Sequence, residues 1–332
     1  MRESRYNIWV QRDGAFYVYN GVSGALLRVP AADYRALQPF LAGEQQTRCR
    51  PVLLMELAKG RMLVSDECDE RQILVRRFQA GRLDTSQLAL TLITSLGCNF
   101  NCQYCFEAKH PSIMDEEVQR AVLQLLDDKM GEIKTFHVTW FGGEPLIGKQ
   151  PLLALSDAFS ERCQRGGVHY SAGIVTNGYL LDEETCAKLR DRRVVAAQIT
   201  LDGPPELHDR RRPLAGGEGS FWRIVQNLRH AVNYFSVAIR VNVSWESFPH
   251  VEGLLQILAH EGFAGKLTIY PGQVVRVDDG ASSPSVSCRA RCFTNWEFAQ
   301  VEQGFTLLGE RYGFSFRSLP APRNVPCGAV RV

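Results

Sequence analysis

No sign of charge dominates this chain: 38 lysines and arginines stand against 36 aspartates and glutamates, a formal net charge of +2. So even a balance produces no field that would gather a polyanion, and nucleic acid is not expected as a partner. The densest basic run, Arg210, Arg211 and Arg212, is short. Long apolar runs are also missing. No segment approaches the roughly 20 apolar residues that cross a bilayer. The N-terminal MRESRYNIWV is polar where a secretory signal is apolar. The expectation is a cytoplasmic protein without membrane contact. No fixed-period repeat or low-complexity tract is evident, so the fold must be read from local patterns.

What the chain does have is length and cysteine. Its 332 residues, 45% of them hydrophobic, suffice for one large domain and a small one. Ten cysteines are many for a compartment that keeps thiols reduced, where clustered ones more often bind metal than pair. Cys49, Cys68, Cys163 and Cys186 stand alone and read as structural.

Residues 1–85 differ from the rest. Strand-like runs at 6–10 and 15–20 flank Asp13-Gly14, a hairpin turn signal. A second turn at Ser23-Gly24 precedes an apolar run at 25–29. Helical stretches follow near 33–41 and 51–58, then a strand-like 61–64. This pattern predicts a small winged-helix-like domain, with 65–87 as a charged linker. From Leu88 strand and helix alternate. Strands are expected at 88–94, 136–141, 169–176, 195–201, 237–243 and 266–270, with helices between them; Ser112-x-x-Asp115 reads as a capping box for the first helix. Six β-α units in series imply an α/β domain over 86–275, a partial (β/α)6 barrel with an open side. Residues 276–332 form a cysteine-containing extension with one helix near 295–312.

The distinctive residues follow the strands. Cys98, Cys102 and Cys105 follow the first, Gly142, Gly143, Glu144 and Pro145 the second, Asn177-Gly178 the third and Asp202-Gly203 the fourth. Arg240 and Asn242 lie on the fifth, and Pro271-Gly272 ends the sixth. In a parallel barrel these ends share the face where active sites are built. Three thiols spaced C-x3-C-x2-C can wrap one iron–sulfur cluster and leave one of its four irons open. Zinc is the alternative; it prefers four protein ligands, and His110 is the nearest histidine to complete the set.

C-x3-C-x-aromatic-C after a first strand resembles the signature of the radical S-adenosylmethionine (SAM) superfamily. The resemblance covers about 88–275. It implies a [4Fe–4S] cluster on Cys98, Cys102 and Cys105, with SAM chelating the open iron and yielding a 5′-deoxyadenosyl radical. By the same resemblance Tyr104 packs near the adenine. Residues 142–145 match the GGEP motif that meets the methionine amino group, Glu144 offering its carboxylate. Thr200, then His208, Asp209 and Arg212, resemble a segment of the peptide- and protein-modifying branch. There Thr200 meets the ribose or methionine end and Arg212 the methionine carboxylate, although most of the family carries Ser at the Thr200 position. Asn242 fits a polar contact to the cofactor. Arg210 and Arg211 are expected to face solvent, and His208 to be a hydrogen-bonded loop residue rather than a base.

The implied enzyme is a SPASM-type maturase that crosslinks a ribosomally made precursor peptide through a thioether or carbon–carbon bond. The N-terminal domain would bind the peptide's leader by strand addition, and a flavodoxin- or ferredoxin-like donor would supply electrons. One alternative is a formylglycine-generating sulfatase maturase. Another, of a different class, is a non-catalytic leader-binding subunit or truncated remnant. The resemblance breaks at the C-terminal end. Cys288, Cys292 and Cys327 fall short of the roughly seven or eight thiolates two auxiliary clusters take. They read as part of one auxiliary [4Fe–4S] cluster or as idle thiols of a truncated SPASM domain.

Overall fold

The computed structural model describes residues 1–44, 49–275 and 291–315. The described residues fall into two compact units, Met1–Asp84 and the part from Thr85 onward.

The first unit runs β1 (Arg2–Glu3), β2 (Asn7–Arg12), β3 (Ala15–Asn20), β4 (Leu26–Pro30), α1 (Ala31–Leu41), α2 (Pro51–Lys59), β5 (Leu63–Val64) and α3 (Glu70–Leu83). Strands β2, β3 and β4 form an antiparallel sheet in that order. Asp13 and Gly14 both take positive φ, 50° and 71°, the geometry of a two-residue hairpin loop. Val18, Val29, Leu37, Leu53, Leu57 and Met62 make a small core, and β1 pairs antiparallel with β5.

The expected linker at 65–87 is instead largely helical. Asp69 caps α3 by accepting from the Gln72 backbone. At the first turn Glu70 is buried and accepts from Arg2 (3.1 Å), the Ser4 hydroxyl and the Arg5 backbone. A carboxylate anchored by residues some 65 positions away leaves no local periodicity to read.

The second unit alternates β6 (Gln87–Ser95), α4 (Glu116–Lys129), β7 (Thr135–Gly142), α5 (Lys149–Gly166), β8 (His169–Thr176), α6 (Glu183–Asp191), β9 (Val194–Thr200), α7 (Pro205–Arg211), α8 (Phe221–Tyr234), β10 (Ser236–Val243), α9 (Val251–His260), β11 (Thr268–Gln273) and α10 (Asn295–Arg311). The six strands β6 to β11 form one parallel sheet in chain order, with β6 and β11 at its edges. This is an α/β fold with six of the eight strands of a closed barrel. One face is packed: Phe136, Val138, Trp140, Ile174, Ile199 and Val241 are buried together with Phe159, Leu189, Leu228 and Leu254. Alternate residues such as Gln198, Thr200, Arg240 and Asn242 belong to the opposite face, because side chains along a strand have period two.

Three local expectations change. Helix α4 is capped by Asp115, which accepts from Val118, and not through Ser112. Pro271 and Gly272 lie inside β11, paired with Val241 and Asn242; an edge strand tolerates a missing N–H. The short helix α7 was not expected. Cys288 and Cys327 lie outside the described residues.

Candidate active site

The C-terminal ends of the parallel strands surround a cavity of about 270 Å³. Cys98, Cys102 and Cys105, in the loop after β6, all line it. Neighbouring loops hold this loop in shape. The Ser95 hydroxyl donates to the Ser112 carbonyl (2.8 Å) and accepts from the Gly97 backbone (3.0 Å). Asn101 N donates to Pro213 O and Ala215 N to Asn99 O, each at 2.8 Å. Asn177 donates to the Asn99 side chain (2.7 Å), and its amide lies 4.0 Å from the Cys98 sulfur. Lys109 donates to the Phe100 carbonyl. Burial pushes the Cys98 thiol up to about 11 and raises Cys105 as well. Ligation here therefore displaces protons.

Zinc fits this site poorly. His110 is exposed and does not line the cavity. No three His, Cys, Asp or Glu side chains among the described residues converge as one ion requires. A four-iron cube binds each thiolate to a different iron, so its ligands need not meet at a point.

The glycine pair after β7 is demanded by packing. Gly142 has φ 137°, and a Cβ there would lie 2.2 Å from Ser95 O; one on Gly143 would lie 2.6 Å from Gly97 O. Gly143 N donates to Ser95 O (3.0 Å) and Glu144 N to Gly97 O (2.9 Å). The two strand ends are thus laced together backbone to backbone. Gly142 and Gly143 line the cavity, whereas Glu144 and Pro145 do not. The Glu144 carboxylate, fully buried, accepts from Thr176 Oγ1 (2.7 Å), Asn177 N (2.8 Å) and Leu146 N (3.1 Å). Burial raises its pKa against the pull of these three donors. The structure thus employs Glu144 as a brace between β7 and β8.

Opposite the glycines, Tyr104 is the hub of a buried polar network. Its hydroxyl meets the Asp202 carboxylate and accepts from Arg212 Nη1 (2.7 Å) and Asn242 Nδ2 (3.2 Å). Asp202 also accepts from Asn242 N (2.8 Å). Burial holds the Tyr104 phenol well above its ordinary value, opposed by Arg212 and reinforced by Asp202. Burial acts to depress Arg212, but Cys102, Tyr104 and Asp202 outweigh it, and the guanidinium stays charged. The Arg212 Nε is buried with no protein hydrogen-bond partner. Thr200, Arg212 and Asn242 all line that cavity with Tyr104.

Arg211 corrects an expectation. Arg210 is exposed, but Arg211 is buried, donating to Asn242 O (3.1 Å) with its guanidinium 5.1 Å from the Tyr104 ring. His208, in helix α7, is also buried. Its Nδ1 accepts from Asp202 N (3.1 Å), and Nε2 meets the Ser220 hydroxyl (3.1 Å). Burial and the two arginines push its pKa well down. It is a neutral structural ring outside the cavity lining.

Glu107, Lys109, Asn177, Gln198 and Arg240 also line the cavity; Asn177 and Arg240 stand out in the sequence by their place at strand ends, whereas Glu107, Lys109 and Gln198 belong to no motif. Two of the five carry a signal of position. Gln198 lies two residues before Thr200 and Arg240 two before Asn242, the strand period. Cys292 is half-buried and does not line the cavity.

Residues 92–244 match the model of the radical SAM superfamily. A serine-type anaerobic sulfatase-maturating enzyme of Bacteroides thetaiotaomicron is 26% identical over 153 residues, 43% of this chain and 36% of that protein. The mycofactocin maturase MftC of Mycolicibacterium smegmatis is 27% identical over 266 residues, 78% of this chain and 64% of that one. The chain thus spans less than two thirds of either relative. The crystal structure of Streptococcus suis SuiB bound to precursor peptide SuiA superposes with a TM-score of 0.51 at 12% identity, covering 96% of this chain and 72% of that chain. The matched residues all lie in the second unit, and the superfamily whose model they match uses a [4Fe–4S] cluster and SAM.

Proposed function

We propose that this chain is a radical SAM enzyme that modifies a ribosomally made precursor peptide. One observation carries the reading: three thiols, a charged arginine with an unmet donor, and a close-packed glycine pair line a single cavity. In that cavity Cys98, Cys102 and Cys105 hold the cluster, Arg212 takes the methionine carboxylate, and the Gly142-Gly143 backbone, Thr200, Tyr104 and Asn242 contact the rest of SAM. Cluster and cofactor together supply a 5′-deoxyadenosyl radical; the protein binds, orients and shields. Reduced anaerobically after loading with iron and sulfide, the protein is expected to cleave SAM to 5′-deoxyadenosine. A loaded cluster without cleavage would sink the enzyme reading.

The peptide substrate is supported by the names of the relatives and by the first unit. There the β2-β3-β4 sheet has an edge at β4, whose pairing runs through β3. Strand addition to such an edge is a common way to hold an extended peptide. A thioether or carbon–carbon crosslink is the product we favour, with electrons from a flavodoxin- or ferredoxin-like donor. The similarity to the Bacteroides enzyme favours a second reading, oxidation of a Cys or Ser to formylglycine. An anaerobic assay with a sulfatase peptide and mass-spectrometric readout separates the two.

A further inference from the structure

Lys109 has no part in the motifs, yet it lies where it can act on the whole cysteine loop. It follows the third cysteine by four residues and turns back across the loop. Its ammonium donates to the carbonyl of Phe100, between the first and second cysteines, and lies 3.4 Å from Asn101 Oδ1. The two limbs of the loop are thereby joined by one side chain. Both of these partners are neutral oxygens. Arg212 differs, since its charge is shared with the Tyr104–Asp202 pair. Lys109 also lines the cavity together with Cys98, Cys102 and Cys105, so its charge borders the space a cluster would fill.

We infer that Lys109 is a positioning residue of the cluster: its hydrogen bond closes the ligand loop, and its fixed positive charge makes the cluster easier to reduce. This rests on the radical SAM reading above. A cube held by three thiolates is anionic, and the incoming electron adds a further negative charge. A nearby ammonium favours the reduced state more than the oxidised one. Hydrogen bond and charge are separable, because Lys109→Gln keeps a donor without charge, Lys109→Arg keeps both, and Lys109→Met keeps neither.

The test uses the full-length chain loaded with iron and sulfide, without SAM or peptide, and an EPR-monitored redox titration. K109Q is expected to shift the midpoint to a more negative potential, with K109R close to the parent. K109M should share the negative shift and also lose iron faster to a ferrous chelator. A K109Q midpoint equal to the parent's, at full iron content, overturns the inference. Should K109Q not load, iron uptake by K109R alone still supports a role for the charge, and failure of both overturns it. A parent chain that takes up no cluster refutes the radical SAM reading instead.

Discussion

Glu144 shows how much one side chain decides at this site. Its oxygens receive three donors from two segments, Leu146 from its own turn and Thr176 and Asn177 from the end of β8. A carboxylate is acceptor-only, so every contact is matched. Glu144→Gln keeps the shape but replaces one acceptor by an NH2 group, which must then face another donor. A buried donor left without a partner costs about 1–3 kcal/mol. The variant is therefore expected to lose that much stability in denaturant unfolding with an unchanged m-value. A loss below about 0.5 kcal/mol would show that the carboxylate is not the brace inferred from its three donors. The sequence pattern located Glu144 at the right strand end but not its employment. Two of its three hydrogen-bond partners lie 32 and 33 residues away, and no spacing reveals which way a carboxylate turns.

At the scale of elements, strands and turns were the most legible. The apolar run at 169–176 coincides with β8, and the Asp13-Gly14 signal marks the β2–β3 turn. Failures came where tertiary contacts override composition. Helix α3 is anchored by the buried Glu70, and Arg211 is drawn inward by Asn242 O and the Tyr104 ring. The motif glycines lie between these cases. Their presence was legible, but the structural reason, packing of the β7 end on the β6 end, needed the sheet. Gly142→Ala tests that packing. The new methyl would enter within 2.2 Å of a backbone oxygen, at a φ of 137° that L-residues rarely adopt. Such backbone strain alone costs on the order of 1–3 kcal/mol. The variant should show a lower thermal midpoint and a reduced iron content after loading. Gly131→Ala is the control, since nothing lies within 4 Å of a Cβ there and its φ is not positive; it should leave both readouts near the parent.

The whole molecule divides at the level of its cores. The core of the first unit draws on residues from Val18 to Leu63, and that of the second on residues from Leu92 to Phe314, with no member in common. Every strand of the parallel sheet and every cavity-lining residue belongs to the second unit. A unit with its own core and a complete site has what it needs to fold alone. A chain beginning at Thr85 is therefore expected to unfold cooperatively, take up the same iron per chain as the parent, and cleave SAM at a comparable rate without peptide. If the first unit recruits the substrate by strand addition, the same truncation should abolish leader-dependent modification. A short core peptide, needing no leader, should still react slowly. Loss of iron uptake in the truncated chain would show that the first unit is needed to build the site, and the division of labour between recruitment and chemistry would fail.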